Sequence, residues 1–213
     1  MSDPAPMDKT GFADAMGGVP ADRLDRLETY LAHLAKWQRA INLVGPKTLG
    51  DPWRRHILDS AQLMAYLPKS PETLKIVDLG SGAGLPGLVL AIMSGADVQM
   101  IESDQRKATF IREAARITET PVTVHTGRIE AVAPLAGDVV TARALAPLER
   151  LLPLVYRHLA PGGKTLLLKG AEADEELTLS AKKWTMAIAR KQSLSDPSGT
   201  VLIIDDLAPI TDV

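Results

Sequence analysis

The residues with the clearest chemical promise lie in one run, Asp78-Leu79-Gly80-Ser81-Gly82-Ala83-Gly84-Leu85-Pro86-Gly87. An apolar stretch ending at Leu79 precedes the glycines, and Pro86 suits the first turn of a helix. A strand, a glycine loop and a helix in that order let the backbone turn sharply and lie flat against a ligand. Asp78 stands two residues ahead of the first glycine, and Glu102 closes the next apolar run, residues 98–102. A carboxylate at a strand end can accept both hydroxyls of a ribose. The glycines and the two acids together describe an adenosine-type site.

Two cofactor classes meet that description. Gly82-x-Gly84-x-x-Gly87 has the dinucleotide spacing, and a tight turn without any ligand would use the same glycines. The pattern D/E-x-G-x-G-x-G of methyltransferases has an acid where this chain has Asp78. S-adenosylmethionine carries a cationic sulfonium and an amino group but no phosphate, so a carboxylate favours it and opposes a pyrophosphate. The reading is therefore S-adenosylmethionine, with a dinucleotide oxidoreductase as the alternative.

Methyl transfer from a sulfonium is an in-line displacement, so the acceptor dictates which side chains are needed. The chain has no cysteine, which excludes pyrimidine C5 methylation through a covalent adduct and also thiolate metal sites and disulfides. No metal is expected. Amino-group methylation of adenine or cytosine commonly uses an N/D-P-P-Y/F/W loop, and the corresponding place reads Thr141-Ala142-Arg143-Ala144. Guanine N7 already presents an in-plane lone pair and needs no general base. That argument is permissive, since a small-molecule acceptor makes equally modest demands; a non-catalytic binding module in ribosome assembly is a further alternative. Arg143, just past a strand end, is the side chain best placed to act.

The elements that must position these residues follow from periodicity. Leu24, Leu27, Leu31, Leu34 and Trp37 recur at helical spacing from Ala21 onward, and Asp51-Pro52 opens a second helix that runs to Pro68. Residues 1–19 show no periodicity and read as a flexible tail, residues 20–70 as a helical extension and residues 71–213 as the cofactor domain, one compact unit with that extension. Beyond Pro71, strand candidates at 75–79, 98–102, 122–125, 138–142 and 164–169 alternate with helical stretches, which predicts a mostly parallel seven-stranded α/β sheet with helices on both faces. Runs at 184–191 and 200–204 flank Ser195-Asp196-Pro197-Ser198-Gly199 and read as a closing antiparallel hairpin. The formal net charge of −2 gives no global pull toward nucleic acid. RNA binding would need a local basic rim, for which Arg54, Arg55, Arg106, Lys107, Arg112 and Arg116 are candidates. His56 and Asp59 share one helix face and could orient RNA or the glycine loop. No apolar run is long enough to span a bilayer, and a cytoplasmic monomer is expected.

Read together, these pieces resemble the ribosomal-RNA small-subunit methyltransferase G family, also called glucose-inhibited division protein B. The likeness runs through Ile41-Asn42-Leu43-Val44, Arg55-His56-Ile57-Leu58-Asp59-Ser60, the glycine loop, Glu102-Ser103, Arg106-Lys107, Gly127-Arg128-Ile129-Glu130, Thr141-Ala142-Arg143-Ala144 and Leu168-Lys169-Gly170. The resemblance implies a Rossmann-like, class I fold and methylation of guanine N7 in 16S ribosomal RNA, free or in the small subunit, with S-adenosylmethionine as donor. It puts the donor against Gly80 and Leu85, Glu102 on the ribose, Ile129 and Glu130 beside the adenine and Arg143 beside the donor at the active-site mouth, and the loop pattern itself adds Asp78 and Gly82 to the expected donor-binding residues. Arg54, Arg55, His56, Arg106, Lys107 and Lys169 become the RNA-binding candidates. Ile129 stands where the family usually has alanine.

Overall fold

The computed structural model describes residues 5–210. Its strands are β1 (Lys75–Leu79), β2 (Asp97–Glu102), β3 (Thr123–Thr126), β4 (Gly137–Arg143), β5 (Leu159–Lys169), β6 (Trp184–Gln192) and β7 (Thr200–Pro209). They form one seven-stranded sheet in the order β3-β2-β1-β4-β5-β7-β6. β7 runs antiparallel to β5 and β6, and the other neighbours are parallel. The helices are α1 (Lys9–Ala15), α2 (Ala21–Trp37), α3 (Asp59–Ala61), α4 (Gly87–Ser94), α5 (Gln105–Ile117), α6 (Leu148–His158) and α7 (Ala173–Ser180).

Alternation along the strands sends neighbours to opposite faces. Ile76, Val98 and Met100 join Leu27, Leu88 and Phe110 in one core, while Val77, Ile101 and Val140 join Leu148, Leu152 and Val155 in the other. Chain order runs outward from β1 to β3 on one side and from β4 to β5 on the other. The reversal between β1 and β4 opens a crevice at their carboxyl ends, where open α/β sheets hold ligands.

Several stretches differ from the sequence-based expectations. Residues 1–4 of the expected tail lie outside the described residues, but Lys9–Ala15 form α1, with the Asp8 carboxylate accepting from Gly11 N at 2.8 Å. Phe12 is fully buried, its ring 5.5 Å from Trp53, and one aromatic anchor in seven residues leaves no periodicity to read. The expected second helix is a wide π turn over Trp53–Leu58, one α turn in α3 and a tight 3-10 stretch over Gln62–Tyr66. In the wide turn Asp59 N–H reaches the Arg54 carbonyl, one residue further back than an α-helix would take it. β5 begins at Leu159, five residues before the expected Lys164, because Leu159 pairs with Gly137 ahead of a register shift.

Candidate functional site

A cavity of about 1000 Å³ lies at the carboxyl ends of β1, β2, β4 and β5. That is the upper range for a small-molecule pocket. Its floor is the glycine loop. Gly80 and Gly82 hold left-handed φ values of +64° and +56°, which other residues adopt only under strain. A Cβ on Gly80 would lie 2.4 Å from Leu145 Cδ1, whereas a Cβ on Gly82 would meet nothing nearer than 3.9 Å. Gly80 is thus packed against the loop after β4, and Gly82 faces open space.

Both acids that the sequence singles out hold this loop, by different routes. Glu102 lines the cavity, its Oε2 accepting from Gly82 N at 2.7 Å and its Oε1 from Asp104 N at 2.8 Å. Each oxygen keeps a second lone pair, so the carboxylate can still accept ribose hydroxyls. Asp78 is fully buried beneath the loop, does not line the cavity, and accepts from Thr141 Oγ1 at 2.8 Å and Gly87 N at 3.3 Å. Burial pushes its carboxyl up to about 6, against the opposing pull of its hydrogen bonds and of Arg143. Asp78, expected among the donor-binding residues, thus supports the loop from below and does not itself line the cavity.

The loop has a third brace that sequence reasoning missed. Tyr30 of α2 is fully buried and donates its hydroxyl to Ala83 O at 2.8 Å. Burial raises its phenol well above the ordinary value, so it stays protonated and donates. Its helical spacing marks it only as a core residue.

On the opposite wall, Arg143 ends β4 and turns toward the segment before the sheet. Its Nη1 lies 3.1 Å from Asp59 Oδ2, 3.2 Å from Arg55 O and 3.5 Å from His56 Nδ1. His56 is buried, and its Nε2 is 2.9 Å from Thr48 Oγ1. A guanidinium cannot accept, so Nδ1 is the acceptor and Nε2 carries the proton. Burial first, then Arg143 and Arg55, lower the imidazole to about 3. Arg55 pairs with Asp196 at 2.6 Å.

Of the residues predicted from sequence, Gly80, Gly82, Leu85, Glu102, Ile129, Glu130 and Arg143 line this one cavity, together with Arg55, His56, Lys107 and Lys169. Arg54 and Arg106 do not; Arg54 Nε is held by Asp51 Oδ2 at 2.8 Å. Lys169 is half-buried and paired with Glu176 at 2.7 Å, while its Nζ donates to Ala146 O. That pairing braces the loop after β4 and uses up the charge. Arg128 and Arg150 also line the cavity, as do Ser195 and Asp196 of the turn between β6 and β7, and no local sequence pattern marks these four as contacts. Among the described residues Lys107, Arg128 and Arg150 make no ion pair.

The sheet order, the glycine loop at the switch point and the carboxylate at the end of β2 define a Rossmann-like class I methyltransferase fold. In keeping with this, the TYW2 protein of M. jannaschii, solved in complex with AdoMet, superposes with a TM-score of 0.56 at 15% identity, over 72% of this chain and 77% of that one. The family model described as rRNA small subunit methyltransferase G matches residues 23–200, and the chain belongs to that family. Ribosomal RNA small subunit methyltransferase G of Paramagnetospirillum magneticum is 56% identical over 90% of this chain and 92% of its own length. The protein of the same name from Rhodospirillum rubrum is 53% identical over 89% of this chain and 94% of its own.

Proposed function

We propose that the protein transfers the methyl group of S-adenosylmethionine to N7 of a guanine in 16S ribosomal RNA. The observation that carries the reading is one cavity with two chemistries. Its β2 side offers a carboxylate and a glycine cradle, and its lining also includes Lys107, Arg128 and Arg150, which make no ion pair among the described residues. The residues present fit the donor. Glu102 would take the ribose hydroxyls, Ile129 and Glu130 would flank the adenine, and Gly80, Gly82 and Leu85 would lie along the methionine part, with Asp78 holding the loop beneath them.

S-adenosylmethionine supplies an electrophilic methyl on a cationic sulfur. Transfer to N7 moves the positive charge from sulfur to the purine, so the site needs no proton acceptor. His56 is neutral, and Arg143 is balanced by Asp59. Both features spare the developing purinium a bare cation beside it. Lys107, Arg128 and Arg150 at the mouth would engage phosphates, giving a chain of net charge −2 the local basic rim that RNA needs.

The extension at 20–70 is proposed to act as one unit with the catalytic domain, a reading supported by the bonds from Tyr30 to Ala83 and from Arg143 to Asp59. The reading includes a monomer working in the cytoplasm. Among the described residues no helix is long and apolar enough to cross a membrane. The test is incubation of purified protein with labelled donor and small ribosomal subunits or 16S RNA, followed by chemical cleavage at N7-methylguanosine. Label confined to a small-molecule pool would overturn it.

A further inference from the structure

We propose that Asp59 and Ser195 are positioning residues for Arg143. The turn between β6 and β7 holds Asp59, and Asp59 fixes one end of the guanidinium so that its remaining N–H groups are presented to bound substrate. A guanidinium has five N–H donors. Among the described residues the protein engages Arg143 only through Nη1, by Asp59, Arg55 O and His56. Nε and Nη2 spend none of their three donors on the protein, although the side chain is only 19% exposed. Among the described residues neither nitrogen is a buried atom left without a partner, so both open onto the cavity that Arg143 lines. Here the anchor is complete at one nitrogen and open at the others.

Asp59 is held as tightly as it holds. Its Oδ1 accepts from Ser195 Oγ at 2.5 Å and from Gln62 Nε2 at 3.3 Å. An ionised carboxylate only accepts, so Ser195 must donate to Asp59, and the 3.0 Å contact between the Ser193 and Ser195 hydroxyls must run from Ser193 to Ser195. Ser193 Oγ in turn accepts from Gln62 Nε2 and from Ser195 N, each at 3.2 Å. The hydroxyls therefore donate in one direction, from the hairpin turn to Asp59, which accepts from Arg143 on its other oxygen. The Arg55–Asp196 pair is a second tie between the same two segments. Residues 136 apart in the chain thus meet to aim one side chain.

The kinetic part of the test rests on the function proposed above, and a spectroscopic part does not. In the full-length protein, the Arg143 side-chain signal in ¹⁵N NMR, assigned by its loss in Arg143→Lys, should report slow rotation about the Nε–Cζ bond, and Asp59→Asn should release it. With ribosomal RNA as acceptor, Asp59→Asn should lower kcat roughly 10–100-fold while donor Kd moves less than about 3-fold. Ser195→Ala should fall in the same direction by less, and Ser195→Thr, which restores the hydroxyl, should recover the loss. In an Arg143→Lys background Asp59→Asn should cost little more. Slow Arg143 rotation persisting in Asp59→Asn, or a cost that is fully additive with Arg143→Lys, overturns the assignment. Should Asp59→Asn fail to fold, Ser195→Ala carries both measurements. A wild-type protein that methylates no ribosomal RNA sinks the proposed function alone, since the rotation measurement still decides the clamp.

Discussion

The two walls of the cavity are built by different means. On the β2 side the glycine loop is held through its backbone: Gly82 N on Glu102, Gly87 N on Asp78 and Ala83 O on Tyr30. On the β4 side a side chain is held by other side chains, Arg143 by Asp59 and Asp59 by Ser195. A backbone-held wall is set by φ and by close approach, so added atoms cost most where the loop is packed, as at Gly80, and less where it faces open space, as at Gly82. A side-chain-held wall keeps its shape when an atom is lost and forfeits direction instead. The comparison predicts where each wall breaks.

The largest effect should come from adding bulk to the first wall. Gly80→Val forces a β-branched residue into a left-handed conformation and drives its Cβ to within 2.4 Å of Leu145 Cδ1. The strained φ should cost about 1–3 kcal/mol, and the tip of the Leu145 side chain must turn aside to admit the new Cβ. Calorimetry should find donor binding abolished in protein that is still folded by circular dichroism. Gly82→Ala shares the left-handed φ but meets open space, so it should lose only about 1 kcal/mol of strain energy. Equal losses at the two glycines would show that φ alone, and not the Leu145 contact, governs the loop.

Next comes a pair of variants that should separate donor from acceptor. Glu102→Ala strands the Gly82 and Asp104 N–H groups and removes the proposed ribose acceptor, so donor Kd should rise roughly 10–100-fold. Arg143→Lys keeps the charge but loses the planar fork, so kcat should fall by a similar factor while donor Kd hardly changes. Donor calorimetry and single-turnover rates on the two proteins check this split. Loss of donor affinity in Arg143→Lys would move Arg143 to the donor's side.

The walls should also respond to acid in opposite directions. Asp78 has a folded value raised to about 6 from 3.8, so the native state takes up its proton first. Its stabilising contribution is full below about 3.8 and is lost as pH rises through about 6. His56, lowered from 6.5 to about 3, contributes stability above 6.5 that is lost as pH falls through about 3. Between pH 7 and pH 5, wild type should therefore gain stability relative to Asp78→Asn in chemical denaturation. The His56 ring should meanwhile show no protonation shift by NMR. A ring titrating near 6.5 would mean that its contact with Arg143 is open in solution.

Much of this was legible in the chain. The strand starting at Lys75, the glycine loop, Glu102 and Arg143 all announce themselves through local pattern, because a parallel strand and a tight turn impose their demands within a few residues. The role of Asp78 was not legible. The same acid suits a ligand or a buried brace, and only its depth and the hydroxyl of Thr141, 63 residues on, decide. The Ser195–Asp59–Arg143 relay was hidden for the same reason: a Ser-x-Ser-Asp turn looks like any hairpin connection until it meets its partner. α1 and the wide turn at Trp53–Leu58 escaped because Phe12 and the Arg143 contact are tertiary, and propensity carries no trace of them.

The smallest effects should come from the mouth, where Arg128 and Arg150 are exposed, Lys107 is half-buried and each charge acts singly. Arg106 and Lys107 are adjacent in sequence, but only Lys107 lines the cavity, because successive helical positions point about a quarter-turn apart. If phosphates seat on the unpaired rim, Lys107→Ala, Arg128→Ala and Arg150→Ala should each raise the KM for RNA a few-fold. Each should also flatten the dependence of log KM on log salt by about 0.7–0.9, the counterion release of one phosphate contact. Arg106→Ala, which removes the same charge from the same helix, should leave that slope as it is. The slope is the more telling measurement, since a lost cation anywhere on the protein weakens RNA binding slightly at low salt through the long-range field. Only a charge in contact with phosphate changes the number of ions released. Equal slopes for Arg106→Ala and Lys107→Ala would mean that RNA senses the general charge of α5 and not the edge of the cavity.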